Sequence, residues 1–185
     1  MKRIFYFIFM ASLFSKLFGG GEKKPIEAVE IYDSMRQQIF DLPKSDLDLG
    51  TDDRLAIIME TAGDDYCYTL VAVADGSASI YFSNGGGIIG AGHHPQGAGK
   101  AQEFLEFSRE YERELKEVRE FPLPHPGMTR FYIIKKGGTL SGEFKEDDLG
   151  NERLKISPLF HKGHELITII RLIDEERQKE SNQSE

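Results

Sequence analysis

The stretch SNGGGIIGAGHHPQGAGK, residues 83–100, contains the residue types of this chain that are best suited to binding a ligand. It has seven glycines, two adjacent histidines and a terminal lysine. Glycine amides near the start of a helix can hold an anion, and a nearby lysine adds positive charge. Loop 84–100 is therefore a candidate site for a small anion or nucleotide. Its candidate ligand-binding residues are Gly86, Gly87, Gly90, Gly92, His93, His94 and Lys100.

The glycines complete neither of the common nucleotide-binding motifs. GGGIIG at 85–90 has the spacing of a dinucleotide-binding fingerprint, but no helix pattern begins inside it. A P-loop starting at Gly92 would have Ala98 where the lysine is required. The alternative is structural: Asn84-Gly85 favours a type I′ hairpin turn that leads into a short, glycine-rich edge strand.

The histidines suggest a second chemistry. His161 and His164 are three residues apart near a predicted helix start, and His93 or His94 would complete the three ligands of a catalytic zinc ion. The patterns H-E-x-x-H and C-x-x-C are absent. A zinc-dependent hydrolase is therefore an alternative only. No metal ligand, cofactor or catalytic residue is assigned, and the pattern favours a protein that is not an enzyme.

The elements that would position these residues predict an α+β fold. Hydrophobic periodicity indicates a single antiparallel sheet of about five strands flanked by helices, in the order α-βββ-α-ββ-α. The first helix follows Pro25. Its apolar face comprises Ala28, Tyr32, Met35 and Ile39, widened by Ile31. The strands RLAIIMET, YCYTLVAVA and SASIYFS follow, and Asp75-Gly76 joins the last two in a predicted type I′ hairpin.

The second half of the chain continues this pattern. An amphipathic helix is predicted from Ala101 to Phe121, and PLPHPG then interrupts any helix. MTRFYIIKK and TLSGEF form a hairpin around Gly137-Gly138. A loop through Asp147 and Asp148 leads to the last helix, HELITIIRLIDEERQ. The pairs Asp52-Asp53, Asp64-Asp65 and Asp147-Asp148 are all predicted to lie in turns.

Three segments make up the predicted domain organisation. Residues 1–24 form an apolar segment with a glycine joint, which resembles a signal sequence. The alternative is that translation starts at Met10 and the first nine residues are not translated. Residues 25–178 form one α+β domain, and residues 179–185 form a disordered tail. Membrane contact is expected only through residues 1–18. The single cysteine, Cys67, fits a reducing compartment, so the cytoplasm is expected, with secretion or membrane association as the alternative.

Two resemblances accompany these patterns. The run DGSASIYFSNGGGIIGAG resembles a stretch of bacterial proteins to which no function is assigned, and it implies no mechanism. The element order over residues 26–177 is loosely similar to roadblock, longin and profilin-like domains, without a shared motif. Roadblock domains have two strands before the middle helix and three after it, whereas three and two are predicted here.

The charge balance bears on the choice of partner. The net charge is −8, from 23 basic and 31 acidic residues, and no basic run exceeds two residues. Nucleic acid is therefore excluded as the expected partner, because phosphate backbones bind clustered Lys and Arg. The sequence favours a non-enzymatic protein-interaction or regulatory module. A basic protein is the partner that the acidic charge favours, and dimerisation through a sheet edge remains open.

Overall fold

The computed structural model describes residues 28–42 and 52–183. Within them lie four α-helices: α1 (Glu30–Phe40), α2 (Pro95–Phe107), α3 (Glu146–Gly150) and α4 (Ser157–Gln183). Seven strands are β1 (Arg54–Ala62), β2 (Cys67–Val73), β3 (Ala78–Phe82), β4 (Gly87–Ile88), β5 (Lys116–Val118), β6 (Met128–Lys135) and β7 (Gly138–Lys145). Short 3₁₀ helices span Ala91–His93 and Ser108–Glu114. The predicted segment 1–24 and its alternative start at Met10 lie outside the described residues.

All seven strands form one antiparallel sheet in the order β4-β3-β2-β1-β6-β7-β5. The predicted α+β class and single antiparallel sheet are confirmed, but the strand count is seven rather than about five. The two additional strands, β4 and β5, lie at the edges. β4 is the edge strand of the hairpin alternative at Asn84-Gly85, whereas β5, with three residues, is too short for an alternating pattern to be visible in the sequence.

The predicted hairpins form, but neither predicted type I′ turn does, and the β6–β7 turn is Lys136-Gly137 rather than Gly137-Gly138. Gly76 has a φ of 87°, whereas Asp75 is not among the residues with positive φ. The amide of Gly76 bonds the carbonyl of Val73, and the amide of Val73 bonds the carbonyl of Ser77. This is a three-residue loop whose last residue is left-handed, so the predicted type I′ turn at this position is wrong.

The helix predicted over 101–121 is shorter and begins earlier. It starts at Pro95 and ends at Phe107, where the chain tightens into the 3₁₀ segment and then enters β5. Arg54 of β1 explains this end, because its guanidinium donates to the carbonyls of Leu105 (2.8 Å) and Glu106 (2.9 Å). The Ser108 hydroxyl also donates to the carbonyl of Leu105 at 2.6 Å, so side-chain donors satisfy carbonyls at the end of the helix.

Each face of the sheet has its own hydrophobic core. On one face α2 and α4 cover Ile57, Leu70 and Phe131 among other residues. On the other face α1 and the segment 118–123 cover Ile58, Val71 and Tyr132 among others. The predicted apolar face of α1 is correct at Tyr32 but wrong at Ile31, which is 60% exposed. Arg36, one turn after Tyr32, is buried instead.

The chain after β7 is more helical than predicted. Asp147 and Asp148 lie in the first turn of α3, where carboxylates favour the helix N-terminus, rather than in a loop. The last helix starts at Ser157, before the predicted start at His164, and it continues through Gln183. It therefore includes most of the segment 179–185 for which disorder is predicted.

Candidate functional site

Three charged side chains form a row across the middle of the sheet. Glu60 of β1 lies opposite Arg130 of β6, and Arg130 lies opposite Glu143 of β7. Directly opposed residues of antiparallel strands project from the same face, so the charges alternate in sign along one line. We refer to Glu60, Arg130 and Glu143 as the charged row. Thr69 of β2 extends this line on the other side of Glu60.

Helix α1 covers the charged row at Glu60. The Nε of Arg36 donates to Oε1 of Glu60 at 2.6 Å, and its Nη2 donates to Oε2 at 2.9 Å. The hydroxyl of Thr69 donates to the same carboxylate at 3.0 Å. The Glu60 side chain is 0% exposed. This two-pronged, charge-assisted contact fixes the position of α1 on the sheet.

Burial changes the proton affinities of the groups around this pair. It raises the pKa of the Cys67 thiol to about 12, and the nearby charge of Glu60 acts in the same direction. Burial also raises the pKa of Tyr132 to about 12. Burial, followed by the charge of Glu60, raises the pKa of the Tyr32 hydroxyl above its ordinary value. A thiol that stays protonated at neutral pH is a poor nucleophile, so Cys67 serves as a buried core residue.

The outer end of the charged row is held by His125. Its backbone amide donates to Oε1 of Glu143 at 2.9 Å, and its Nδ1 lies 3.0 Å from Oε2. Arg130 Nη2 lies 3.0 Å from Oε1 of Glu143. Burial alone would raise the pKa of Glu143, but the bonds from His125 and the charge of Arg130 lower it overall. Glu143 is therefore a carboxylate at neutral pH.

The charged row reaches solvent at an open depression of about 380 Å³, which we call the arginine depression. Its lining residues are Val118, Arg119, Glu120, Pro122 and Arg130. It lies on the face of the sheet that α1 covers, because Arg130 and the segment 118–123 are on that face.

A second open depression, of about 540 Å³, adjoins α2 at the start of β1. We call it the acidic depression. Its lining residues are Asp52, Arg54, Ala74, Gly99, Gln102, Glu103, Leu105 and Glu106. The Arg54 side chain is only 1% exposed and is engaged by Asp52, by Glu106 and by helix carbonyls. Arg109 also pairs with Asp52 at 3.1 Å and with Glu106 at 3.5 Å, and Lys100 lies 2.6 Å from Glu103. The exposed surface therefore consists of carboxylates and the cations paired with them.

Two of these carboxylates have lowered proton affinity. The hydrogen bond from Arg54 holds the pKa of Asp52 well below its ordinary value. The hydrogen bond from Lys100 lowers the pKa of Glu103. Asp52 and Glu103 are therefore negatively charged throughout the neutral range.

The structure places the predicted glycine-loop residues in several different local environments. Gly87 belongs to the edge strand β4, so the hairpin alternative at Asn84-Gly85 is confirmed. The amide of Phe82 donates to the carbonyl of Gly86, and the amide of Gly85 donates to the carbonyl of Phe82. Gly85 has a φ of 100° but Asn84 has no positive φ, so the predicted type I′ turn is wrong here as well. A Cβ on Gly92 would overlap the carbonyl oxygen of Gly76, so its glycine is required for packing. The Arg177 Nη2 of α4 donates to the carbonyl of Gly90 at 2.7 Å.

The polar candidates of this loop are largely engaged within the chain. The Nδ1 of His94 accepts from the amide of Gln96 at 3.3 Å and caps the start of α2. Lys100 Nζ lies 2.6 Å from Glu103 and 3.7 Å from Glu165 of α4, and the bond to Glu103 raises the pKa of Lys100. His93 lies in the 3₁₀ turn after Gly90. Lys100 thus faces carboxylates of α2 and α4.

His161 and His164 lie on the first two turns of α4, with His164 beside Tyr68 of β2 and His161 3.9 Å from Glu152. His164 Nε2 lies 3.4 Å from the Tyr68 hydroxyl, and its ring packs against Phe160. Burial, together with the charge of His161, lowers the pKa of His164 to about 4. Within residues 28–42 and 52–183, no group of three or more His, Cys, Asp or Glu is arranged to hold a metal ion. The zinc alternative therefore has no geometric support in that part of the chain.

The charged row is the feature that the sequence analysis did not identify. Glu60, Arg130 and Glu143 each interrupt a strand pattern, in IIMETA, MTRFYI and SGEFK. A charged residue inside a strand is a visible signal, since such residues are rarely buried without a partner. Their alignment depends on strand register, which the sequence does not specify.

Comparison with protein-family models, with curated proteins and with solved structures gives no match for this chain. Among the described residues, no helix has both the length and the apolar character needed to span a bilayer.

Proposed function

We propose that this chain is a non-enzymatic protein-interaction module whose partner is a basic protein that docks at the acidic depression. The observation that supports this proposal is the depression itself, where Asp52 and Glu106 engage the buried Arg54 and Glu103 adds a third carboxylate. A lysine or arginine side chain of a partner would bind these carboxylates in competition with the exposed Arg109 and with Lys100. The overall charge of −8 would steer such a partner toward the chain.

The cellular compartment belongs to the same proposal. Cys67 is a buried, free thiol whose pKa is raised, and it forms no disulfide that an oxidising compartment would maintain. We therefore place the module in the cytoplasm. A regulatory role would follow from competition between partners for this one surface.

The test uses a hexalysine peptide as the probe and compares two variants with equal changes in net charge. Gln102→Lys combined with Glu103→Gln alters the depression, and Glu176→Gln combined with Gln178→Lys alters the exposed end of α4. We expect the first variant to weaken peptide binding about fivefold at low salt, since each exposed pair contributes up to about 1 kcal/mol. The α4 variant should bind nearly as the unaltered chain does.

Two outcomes would contradict the proposal. Equal weakening in both variants would indicate a general charge effect rather than docking at the depression. For a natural partner, an association rate unchanged between low and high ionic strength would exclude electrostatic steering.

A further inference from the structure

The arginine depression combines two guanidinium groups in a chain with an excess of acidic residues. Arg119 and Arg130 both line it, alongside Val118, Glu120 and Pro122. Arg119 is exposed, and within the described part of the chain it makes no ion pair or hydrogen bond. A cation that nothing neutralises, next to a second cation, favours an anionic ligand.

Arg130 is only partly satisfied by the chain. Its Nη2 lies 3.0 Å from Oε1 of Glu143, and its side chain retains 15% exposure at the depression. The Nε of Arg130 is buried without a hydrogen-bond partner. Buried donors are normally paired, so this guanidinium is incompletely bonded within the described residues, and its exposed part faces the depression.

The wall of the depression is held in place from behind. The Tyr132 hydroxyl donates to the carbonyl of Pro122 at 2.5 Å. Arg36 donates to the carbonyl of Phe121 at 2.7 Å, and the Phe121 ring stacks on Phe40 with the centroids 4.2 Å apart. The segment that carries Arg119 is therefore anchored beside Arg130 before any ligand arrives, which reduces the ordering cost of binding.

We propose that the arginine depression binds a carboxylate group of an acidic peptide through Arg119 and Arg130. The planar guanidinium fork matches a carboxylate, and Val118 and Pro122 offer apolar surface to its aliphatic stem. Glu120 in the lining and Glu143 behind Arg130 oppose a doubly charged phosphate more strongly than a singly charged carboxylate.

This site is independent of the proposed docking of a basic protein. The acidic depression adjoins α2 on one face of the sheet, whereas the arginine depression lies on the face covered by α1. Failure of either proposal would leave the other intact.

The test is an NMR titration of the intact chain that follows the side-chain Nε–H signals of the arginines. Acetyl-tetraglutamate amide offers side-chain carboxylates only, and acetyl-trialanine offers only a C-terminal carboxylate. Acetyl-tetraglutamine amide is the uncharged control, and inorganic phosphate is the competing anion. We expect one of the two carboxylate probes to shift the Arg119 and Arg130 signals with saturation at about millimolar concentration. The glutamine peptide should not shift them.

The variant Arg119→Gln should weaken binding of that probe at least about fivefold, because one of two charge-assisted contacts is lost. The matched control is Arg113→Gln, which removes another exposed arginine outside the depression and should leave the affinity within about twofold. Both positions are exposed, so both variants should fold.

The proposal is overturned if Arg119→Gln and Arg113→Gln lose affinity equally, or if no carboxylate probe shifts either signal. Phosphate binding that is tighter than binding of both carboxylate probes would also overturn it, since the site would then be a general anion site.

Discussion

The Glu60 side chain is 0% exposed, so water could not replace a hydrogen-bond partner that a substitution removes. Its hydrogen bonds come from Arg36 and Thr69, and Thr69 Oγ1 in turn lies 2.6 Å from the Tyr32 hydroxyl. Two of these four residues belong to α1 and two to the sheet. These polar contacts attach α1 to the sheet alongside its apolar residues Tyr32 and Phe40.

The Arg36–Glu60 pair gives a prediction at the level of single residues. Arg36→Met leaves a buried carboxylate without its cation and should lower the free energy of unfolding by about 3–5 kcal/mol. The double variant Arg36→Met with Glu60→Leu should recover most of that loss, since apolar pairs of similar volume often replace buried ion pairs. Urea unfolding followed by circular dichroism measures both values. A double variant as unstable as Arg36→Met would show that the loss comes from packing rather than from charge.

His164 gives a pH-dependent prediction. Its pKa of about 4 in the folded chain lies below its ordinary value of 6.5, so the unfolded chain binds a proton first as the pH falls. The free energy of unfolding should therefore decrease by about 3 kcal/mol between pH 6.5 and pH 4 because of this residue alone. Urea unfolding of the unaltered chain and of His164→Gln across this range isolates the contribution. Parallel curves for the two proteins would contradict the assignment.

At the level of elements, α2 shows where local pattern and tertiary structure disagree. The pattern from Ala101 onward fits a helix as far as Phe121, and Ala101, Phe104 and Ser108 are indeed buried on one face. Beyond Phe107 the chain instead follows contacts from β1 and β7: Arg54 binds the last carbonyls, and Lys116 pairs with Ser141. Periodicity is a local property, so it predicted the start of the buried face and not its end.

Two glycines of this region give a matched prediction. Gly92→Ala would place a methyl group against the Gly76 carbonyl, whereas an alanine at Gly99 of α2 meets nothing within 4 Å. We expect Gly92→Ala to destabilise the chain by about 2 kcal/mol or more through backbone displacement. Gly99→Ala should stabilise it by roughly 0.5–1 kcal/mol through helix propensity. Thermal unfolding of both variants provides the comparison, and equal losses of stability would contradict the prediction that only position 92 lacks room for a side chain.

At the level of the whole molecule, the fold class and the central strands were predictable, and the arrangement of charges was not. The strand-like apolar runs RLAIIMET and YCYTLVAVA and the Asp75-Gly76 signal predict adjacent antiparallel strands correctly. Predicting the charged row would require the register of two strand pairs, β1 with β6 and β6 with β7. The first register depends on contacts between residues about 70 positions apart in the chain, and the second on the turn that joins the two strands. The glycine and histidine content of loop 84–100 predicted a ligand site, yet much of this loop forms the β3–β4 hairpin and the N-terminal cap of α2.

The edges of the sheet have a consequence for self-association. The outermost strands, β4 and β5, have two and three residues, and β5 carries Lys116 and Glu117 as exposed side chains. A neighbouring chain that added itself to either edge would gain only a few backbone hydrogen bonds and would meet charge on one side. The edges of the folded sheet are therefore too short to pair with strands of other chains and start a fibril. Longer strands could pair with another chain only after the central hairpins of this sheet separate.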